Sequence, residues 1–127
     1  MNILGIDYGK KRIGLAWVDT DLGVVLPFGQ FQTSDFRLQI GELVEKEKVD
    51  KIVIGLPIGL DGKENENTKS VQVFVEELKE QIDLPIEFVD ERFSSRQADA
   101  MGGTVSRDEK SAMVILSSYL EQSKQSK

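Results

Sequence analysis

The amino-acid sequence predicts a single α/β domain, built on a five-stranded mixed sheet with helices on both faces. Three observations predict this fold class. The first part of the chain alternates with a period of two between short turns, which is typical of an antiparallel meander. The remainder alternates helical periodicity with short buried apolar runs, which is typical of strands connected by helices. The 127 residues suffice for one core, and we predict a domain over residues 1–122 and a frayed polar tail over 123–127.

Three strands are predicted in the meander, with two tight turns between them. They run over residues 2–8, 12–19 and 24–33. Pro27 interrupts the third strand. Because proline cannot donate a ladder hydrogen bond, this strand is expected at an edge of the sheet or with a bulge.

Three helices are predicted from apolar residues that recur every three or four positions. Ser34 or Asp35 is expected to cap the first helix. The last helix begins with a capping box, in which Ser106 stands three residues before Glu109. The predicted buried faces consist of Phe36, Ile40, Leu43 and Val44; of Val71, Phe74, Val75, Leu78 and Ile82; and of Ala112, Ile115, Leu116 and Tyr119.

Two further strands separate these helices. They run over residues 51–56 and 85–89. Residues 55–57 and the polar loop at 59–67 form either a plain strand-to-helix connection or one wall of a cleft. A short helix is predicted to start at Ser94 and to end before the Gly102-Gly103 pair.

The composition excludes several classes of site. The chain has 22 acidic and 16 basic side chains and a formal net charge of -6, which argues against nonspecific coating of nucleic acid by bulk positive charge. It contains no Cys and no His, so disulfides, thiolate zinc sites and histidine bases are excluded. Acid–base or metal chemistry must therefore come from carboxylates, lysines or bound water. No apolar run approaches the length of a membrane span, and Asp7 interrupts the N-terminal apolar run, so we expect a cytoplasmic protein without a membrane partner.

Carboxylates stand at the ends of three predicted elements. Asp7 ends the first strand, Asp90 and Glu91 end the fifth, and Asp108 lies in the first turn of the last helix. Asp108 precedes Ala112 by four residues, so it projects from the end of the face that packs on the sheet. If that helix lies across the sheet, Asp108 can meet Asp7. Since His and Cys are absent, oxygen ligands favour Mg²⁺ or Mn²⁺, which could activate water for phosphodiester hydrolysis.

Each of these acids also has a purely structural interpretation. Asp7 could be a turn former, and Asp108 could complement the helix dipole. Asp90, Glu91 and Arg92 could form a solvated charge cluster. In that case Arg92 forms an ion pair with Asp90 or another acid, whereas in the functional interpretation Arg92 contacts a phosphate of the substrate.

A glycine and three cationic residues follow the first strand. Gly9 could let a phosphate or a metal approach the backbone behind Asp7, because it has no Cβ, or it could simply close a turn. Lys10, Lys11 and Arg12 could hold a polyanion beside the carboxylates, or they could be ordinary exposed turn charges. We therefore name these four residues, with Arg92, as candidates for substrate binding.

Six segments carry a family resemblance, and they follow one another in order along nearly the whole chain. They are residues 3–9 (ILGIDYG), 11–16 (KRIGLA), 53–57 (VIGLP), 61–62 (DG), 89–92 (VDER) and 108–120 of the last helix. Together they resemble the YqgF family of bacterial proteins, which are described both as Holliday-junction resolvases and as pre-16S rRNA nucleases. The resemblance implies a ribonuclease H-like fold and a metal-dependent acidic active site.

The resemblance also assigns the site residues by position. Asp7 matches the aspartate of the first strand, Glu91 the second acid and Asp108 the aspartate of the last helix, so these three are the predicted catalytic residues and ligands of Mg²⁺ or Mn²⁺. Asp90 is the alternative to Glu91, because a strand end is difficult to place within one residue. The resemblance implies a nuclease that acts on structured RNA or branched DNA, with 5′-end maturation of pre-16S rRNA as the leading role and junction resolution as its rival.

Two other function classes compete with a nuclease. The Asp-x-Gly motif also occurs in nucleotide-binding ATPases of the actin and sugar-kinase type, but those proteins need two such domains to enclose ATP. The chain could also be a non-catalytic RNA-binding factor in ribosome assembly. A resolvase needs two active sites and should dimerise. The sequence leaves no obvious apolar stripe for a large interface, so we expect a monomer or a weak homodimer.

Overall fold

The computed structural model describes residues 1–56, 66–90 and 107–125. The strands are β1 (Asn2–Asp7), β2 (Arg12–Asp19), β3 (Val24–Gln32), β4 (Lys51–Leu56) and β5 (Ile86–Asp90). The helices are α1 (Thr33–Lys46), α2 (Glu66–Gln81) and α3 (Arg107–Gln125). The predicted helix at Ser94, the cap at Ser106 and most of the loop at 59–67 lie outside the described residues. α3 ends at Gln125, within the segment predicted as a polar tail.

The five strands form one mixed sheet in the order β3-β2-β1-β4-β5. The meander β1–β2–β3 is antiparallel, whereas β4 pairs in parallel with both β1 and β5. The predicted fold class is therefore confirmed. Because β1, β4 and β5 run in the same direction, their carboxyl ends lie at one edge of the sheet. We call this the C-terminal edge.

Alternation along β1 divides the apolar residues between two cores. Leu4 and Ile6 belong to a core with α1 and α2, whereas Ile3 packs on the other face with α3. The predicted buried faces of all three helices lie in these cores. The two cores confirm that helices cover both faces of the sheet.

The third strand lies at an edge of the sheet and contains a register shift. Pro27 pairs with Ala16, whereas Gly29 pairs with Leu15, so one extra residue of β3 lies between these pairs. The expectation of an edge strand or a bulge is confirmed in both respects, because a bulge on an edge strand accommodates the missing N–H of proline.

The start of α1 differs from the prediction. The helix begins at Thr33, and the residue before it makes no side-chain capping bond, so the predicted cap at Ser34 or Asp35 is wrong. The hydroxyl of Thr33 donates to the carbonyl oxygen of Gly9 at 2.7 Å. The N–H of Thr33 donates to the carbonyl oxygen of Lys11 at 3.0 Å. A contact with the turn between β1 and β2 therefore stabilises this helix start in place of a local cap.

The described helices include none that combines the length and the apolar character needed to cross a membrane.

Candidate functional site

Asp7 is the last residue of β1 and lies at the C-terminal edge. It pairs with Gly14 of β2, and the preceding residue, Ile6, pairs with Ile54 of β4. Strand alternation gives Asp7 the same face as Ile3, which is the face that α3 covers. Its side chain is half-buried. The prediction that Asp7 ends the first strand is confirmed.

The helix α3 lies directly on β1 at Gly5. A Cβ built on Gly5 would stand 2.5 Å from Cγ of Leu116 and 3.1 Å from the carbonyl oxygen of Ala112. Gly5 stands midway between Ile3 and Asp7 on the face toward α3. The contact therefore establishes which turn of the helix lies over which residue of the strand.

The C-terminal half of α3 contacts the end of the sheet where β1 and β4 begin. Nζ of Lys51, the first residue of β4, donates to the hydroxyl of Tyr119 at 2.9 Å. Lys51 pairs in register with Ile3 of β1. The helix axis therefore runs antiparallel to β1. Its first turn lies at the C-terminal edge, and Tyr119 lies near the end of the sheet where β1 and β4 begin.

Position 108 lies one turn before Ala112, toward the C-terminal edge. Four helical residues span about 6 Å along the helix axis, and the two strand residues from Gly5 to Asp7 span about 6.6 Å. The first turn of α3 and the end of β1 therefore lie at the same height along the strand direction. This is the backbone arrangement that the sequence predicted for a meeting of Asp7 and Asp108.

The remaining acids of the predicted site lie outside what the structure describes. Glu91 and Arg92 are not among the described residues, and the side chains of Asp90 and Asp108 are not described. The residues that are described contain no group of three or more acids able to hold a metal ion. Residues 55 and 56 end β4 at the same edge, whereas the rest of the predicted cleft wall lies beyond the described range.

The basic turn at residues 9–12 occupies the C-terminal edge beside Asp7. Lys10, Lys11 and Arg12 are exposed. A Cβ on Gly9 would overlap the carbonyl oxygen of Arg12. Closure of the turn therefore explains the glycine without any ligand.

Sequence reasoning missed two contributors to this arrangement. Thr33 is separated from Gly9 by 24 positions, and no local pattern marks it as the partner of that turn. The second is a polar cluster beneath the distal half of α3, formed by Lys51, Glu87 and Tyr119. We call it the Tyr119 cluster.

The Tyr119 cluster joins α3 to β4 and β5. Lys51 Nζ lies 3.3 Å from a carboxylate oxygen of Glu87 and 5.5 Å from the centre of the Tyr119 ring. The hydrogen bond with Tyr119 is the main cause that raises the pKa of Lys51. The hydrogen bond from Tyr119 likewise lowers the pKa of Glu87, with a smaller contribution from Lys51. Both charged forms are therefore favoured in the folded state.

Comparisons with known proteins identify a family and close sequence relatives of this chain. Residues 1–122 match the RuvX family, described as Holliday junction resolvase. A protein of Phocaeicola vulgatus is 40% identical over 96% of each chain. One of Maridesulfovibrio salexigens is 43% identical over 78% of this chain and 76% of its own. Both relatives carry the name "Putative pre-16S rRNA nuclease".

Solved structures of resolvases share the architecture at low sequence identity. RuvC of T. thermophilus, in complex with a Holliday junction substrate, superposes with a TM-score of 0.68 at 12% identity, over 98% of this chain and 96% of its own. The fowlpox virus Holliday junction resolvase gives a TM-score of 0.58 at 13% identity, over 96% of this chain and 99% of its own. These likenesses confirm the ribonuclease H-like fold.

Proposed function

Because this chain belongs to the RuvX family, also called YqgF, we propose that it is a metal-dependent nuclease that matures the 5′ end of pre-16S rRNA. The names of the relatives support the ribosomal RNA substrate. The family description supports a four-way DNA junction as the rival substrate. The observation that carries a nuclease site is the juxtaposition of Asp7 with the first turn of α3 at the C-terminal edge.

We propose that Asp7, Glu91 and Asp108 hold Mg²⁺ or Mn²⁺. Three carboxylates form an all-oxygen ligand set, which fits these hard cations and does not fit the softer metals that prefer sulfur or imidazole. The family resemblance assigns Glu91 as the second ligand, and Asp90, the last residue of β5, is the alternative.

The chain contributes pre-organised negative charge to the reaction. Asp7 ends a strand that is paired on both sides, with β2 and with β4. Its backbone therefore needs no rearrangement to receive a ligand. Carboxylates that converge at one edge repel each other, and a cation removes this repulsion. When bound there, a divalent cation supplies Lewis acidity that favours deprotonation of water and stabilises charge on the leaving oxygen.

We propose that residues 9–12 and Arg92 bind the phosphate backbone of the substrate. The local concentration of positive charge supports this role. The turn carries three consecutive exposed cations beside Asp7. An acidic protein can therefore present a locally basic edge to a polyanion.

We propose that the protein acts in the cytoplasm as a monomer or a weak homodimer. A precursor RNA needs a single cleavage centre. A four-way junction has two-fold symmetry and needs two centres. Cleavage of RNA by the monomer would therefore agree with the ribosomal role.

The deciding experiment tests cleavage of both substrates by the same preparation of the protein. An RNA that spans the 5′ end of 16S precursor and a four-way DNA junction are incubated separately with Mg²⁺ or Mn²⁺. We expect cleavage of the RNA by the wild type and none by Asp7→Asn, because a neutral amide neither balances the metal charge nor holds its geometry. Asp83→Asn, at an exposed position outside the site, is the matched control and should cleave normally.

The alternatives give different results. Cleavage confined to the junction would favour a resolvase. Binding of RNA without cleavage in either metal would favour a non-catalytic assembly factor. Full activity in Asp7→Asn would contradict the proposed site.

A further inference from the structure

Gly5 is a glycine inside a buried strand, a position where glycine ordinarily weakens a sheet. Its backbone does not require glycine, because the described glycines with positive φ are Gly23 and Gly29. Its surroundings do require it. A Cβ would meet Cγ of Leu116 at 2.5 Å, Cδ1 of Leu116 at 3.0 Å and the carbonyl oxygen of Ala112 at 3.1 Å. The missing side chain therefore serves the close approach of α3.

The separation of β1 and α3 at this point depends on one missing methyl group. Ordinary contact between carbon atoms is about 3.5–4.0 Å, so an added Cβ would require a movement of about 1 Å at Leu116. Both contacting residues are fully buried, and a close-packed interior leaves little room for a side chain to turn aside. Part of the movement must therefore be taken up by the helix.

The distal end of α3 is held independently by the Tyr119 cluster. Lys51 bonds Tyr119 at 2.9 Å, and it lies 3.3 Å from Glu87. An added Cβ at Gly5 would push on the helix beside Ala112, whose carbonyl oxygen lies 3.1 Å from the built Cβ position. Position 108 lies one turn before Ala112, so a displacement at this contact also moves the first turn of α3.

We propose that Gly5 is a positioning residue for the metal site, because its missing side chain sets the distance between Asp7 at the end of β1 and the first turn of α3, where position 108 lies. This inference rests on the proposed function. Mg²⁺ requires near-ideal octahedral geometry with short bonds, so a displacement approaching 1 Å separates ligands that must converge. Glycine at this position is then required by metal binding as well as by packing.

The test measures Mn²⁺ binding by the protein alone, without nucleic acid, by isothermal titration calorimetry and electron paramagnetic resonance. Gly5→Ala is compared with the wild type, after circular dichroism has shown a folded protein. We expect Mn²⁺ to bind about 10- to 100-fold more weakly, the range found when the support of a metal ligand is disturbed. The double variant Gly5→Ala with Leu116→Ala removes the principal overlap and should recover most of the affinity.

Two controls separate positioning from a general loss of stability. Ile40→Val loosens the core on the opposite face of the sheet and should bind Mn²⁺ as the wild type does. Gly41→Ala adds a methyl group where no atom lies within 4 Å, and it should also leave the affinity unchanged. Weaker Mn²⁺ binding in Ile40→Val, equal to that in Gly5→Ala, would overturn the positioning role.

The remaining outcomes are equally decisive. A folded Gly5→Ala protein with wild-type affinity would overturn the inference while leaving the proposed function intact. If Gly5→Ala does not fold, the double variant carries the test, and a folded double variant that fails to bind Mn²⁺ would overturn it. Absence of Mn²⁺ binding by the wild type would overturn the proposed metal site, and the positioning role with it.

Discussion

The hydroxyl of Tyr119 is expected to stabilise the attachment of α3 to the sheet, so Tyr119→Phe should destabilise the protein. The substitution keeps the ring and removes one oxygen, which accepts from Lys51 at 2.9 Å and is the main cause that lowers the pKa of Glu87. A hydrogen bond to a charged group contributes about 1.5–3 kcal/mol. The side chains of Lys51 and Glu87 are 20% and 47% exposed, and solvent screening reduces that contribution. We therefore expect a loss of about 1 kcal/mol, or about 4 °C in Tm.

The effect should depend on pH with a defined sign. Tyr119 lowers the pKa of Glu87 below its ordinary value of 4.5, so this stabilisation is present above pH 4.5 and is lost as pH falls through the lowered pKa. Lys51 has a raised pKa, so its share is present below the ordinary value and is lost as pH rises through the raised one. The difference between wild type and variant should be largest near pH 7 and should shrink below pH 4.

Urea unfolding followed by circular dichroism measures this difference at each pH. Tyr8→Phe is the matched control, because the Tyr8 ring packs on Phe74 with centroids 4.7 Å apart and its pairing does not involve the Tyr119 cluster. A double-mutant cycle with Glu87→Gln isolates the coupling between the two side chains. Equal stability of Tyr119→Phe and wild type at pH 7, or a difference that stays constant down to pH 3, would refute the reasoning.

Two further predictions concern the turn beside Asp7. Replacement of Lys10, Lys11 and Arg12 with Gln should weaken binding of precursor RNA, measured by fluorescence anisotropy titrations against KCl. Each lost phosphate contact should reduce the slope of log K against log [KCl] by about 0.7–0.9. An unchanged slope would show that the turn does not contact phosphate. Thr33→Val should cost about 1–3 kcal/mol in urea unfolding, because it leaves the carbonyl oxygen of Gly9 without its 2.7 Å donor. Thr33→Ser, which keeps the hydroxyl, should retain most of that stability, and equal losses in the two variants would exclude the hydrogen bond as the cause.

Strong local patterns were sufficient to predict most of the fold. The bounds of β2 and β4 agree with the prediction to the residue, because alternating or continuous apolar runs between turn residues specify a strand locally. The buried helical faces were also predicted correctly, since the period of 3.6 residues selects one side of a helix. Family membership followed from short motifs in order along the chain.

The candidate site was predictable only in part. The sequence places Asp7 at a strand end and position 108 in the first turn of a helix, which are local properties. Whether that helix crosses the sheet at the right level depends on Gly5, whose contacts with Ala112 and Leu116 link distant parts of the chain. A glycine in a strand pattern indicates a close approach or a bulge, but it does not name the partner.

The sequence by itself determined the elements, their buried faces, the family and the all-carboxylate chemistry available to the site. Only the tertiary structure decided the start of α1 at Thr33, the crossing point of α3 at Gly5 and the Tyr119 cluster. Lys51 and Tyr119 are 68 positions apart. The physical reason is that periodicity and capping act between neighbours in the chain, whereas these contacts arise only when packed elements bring distant side chains together.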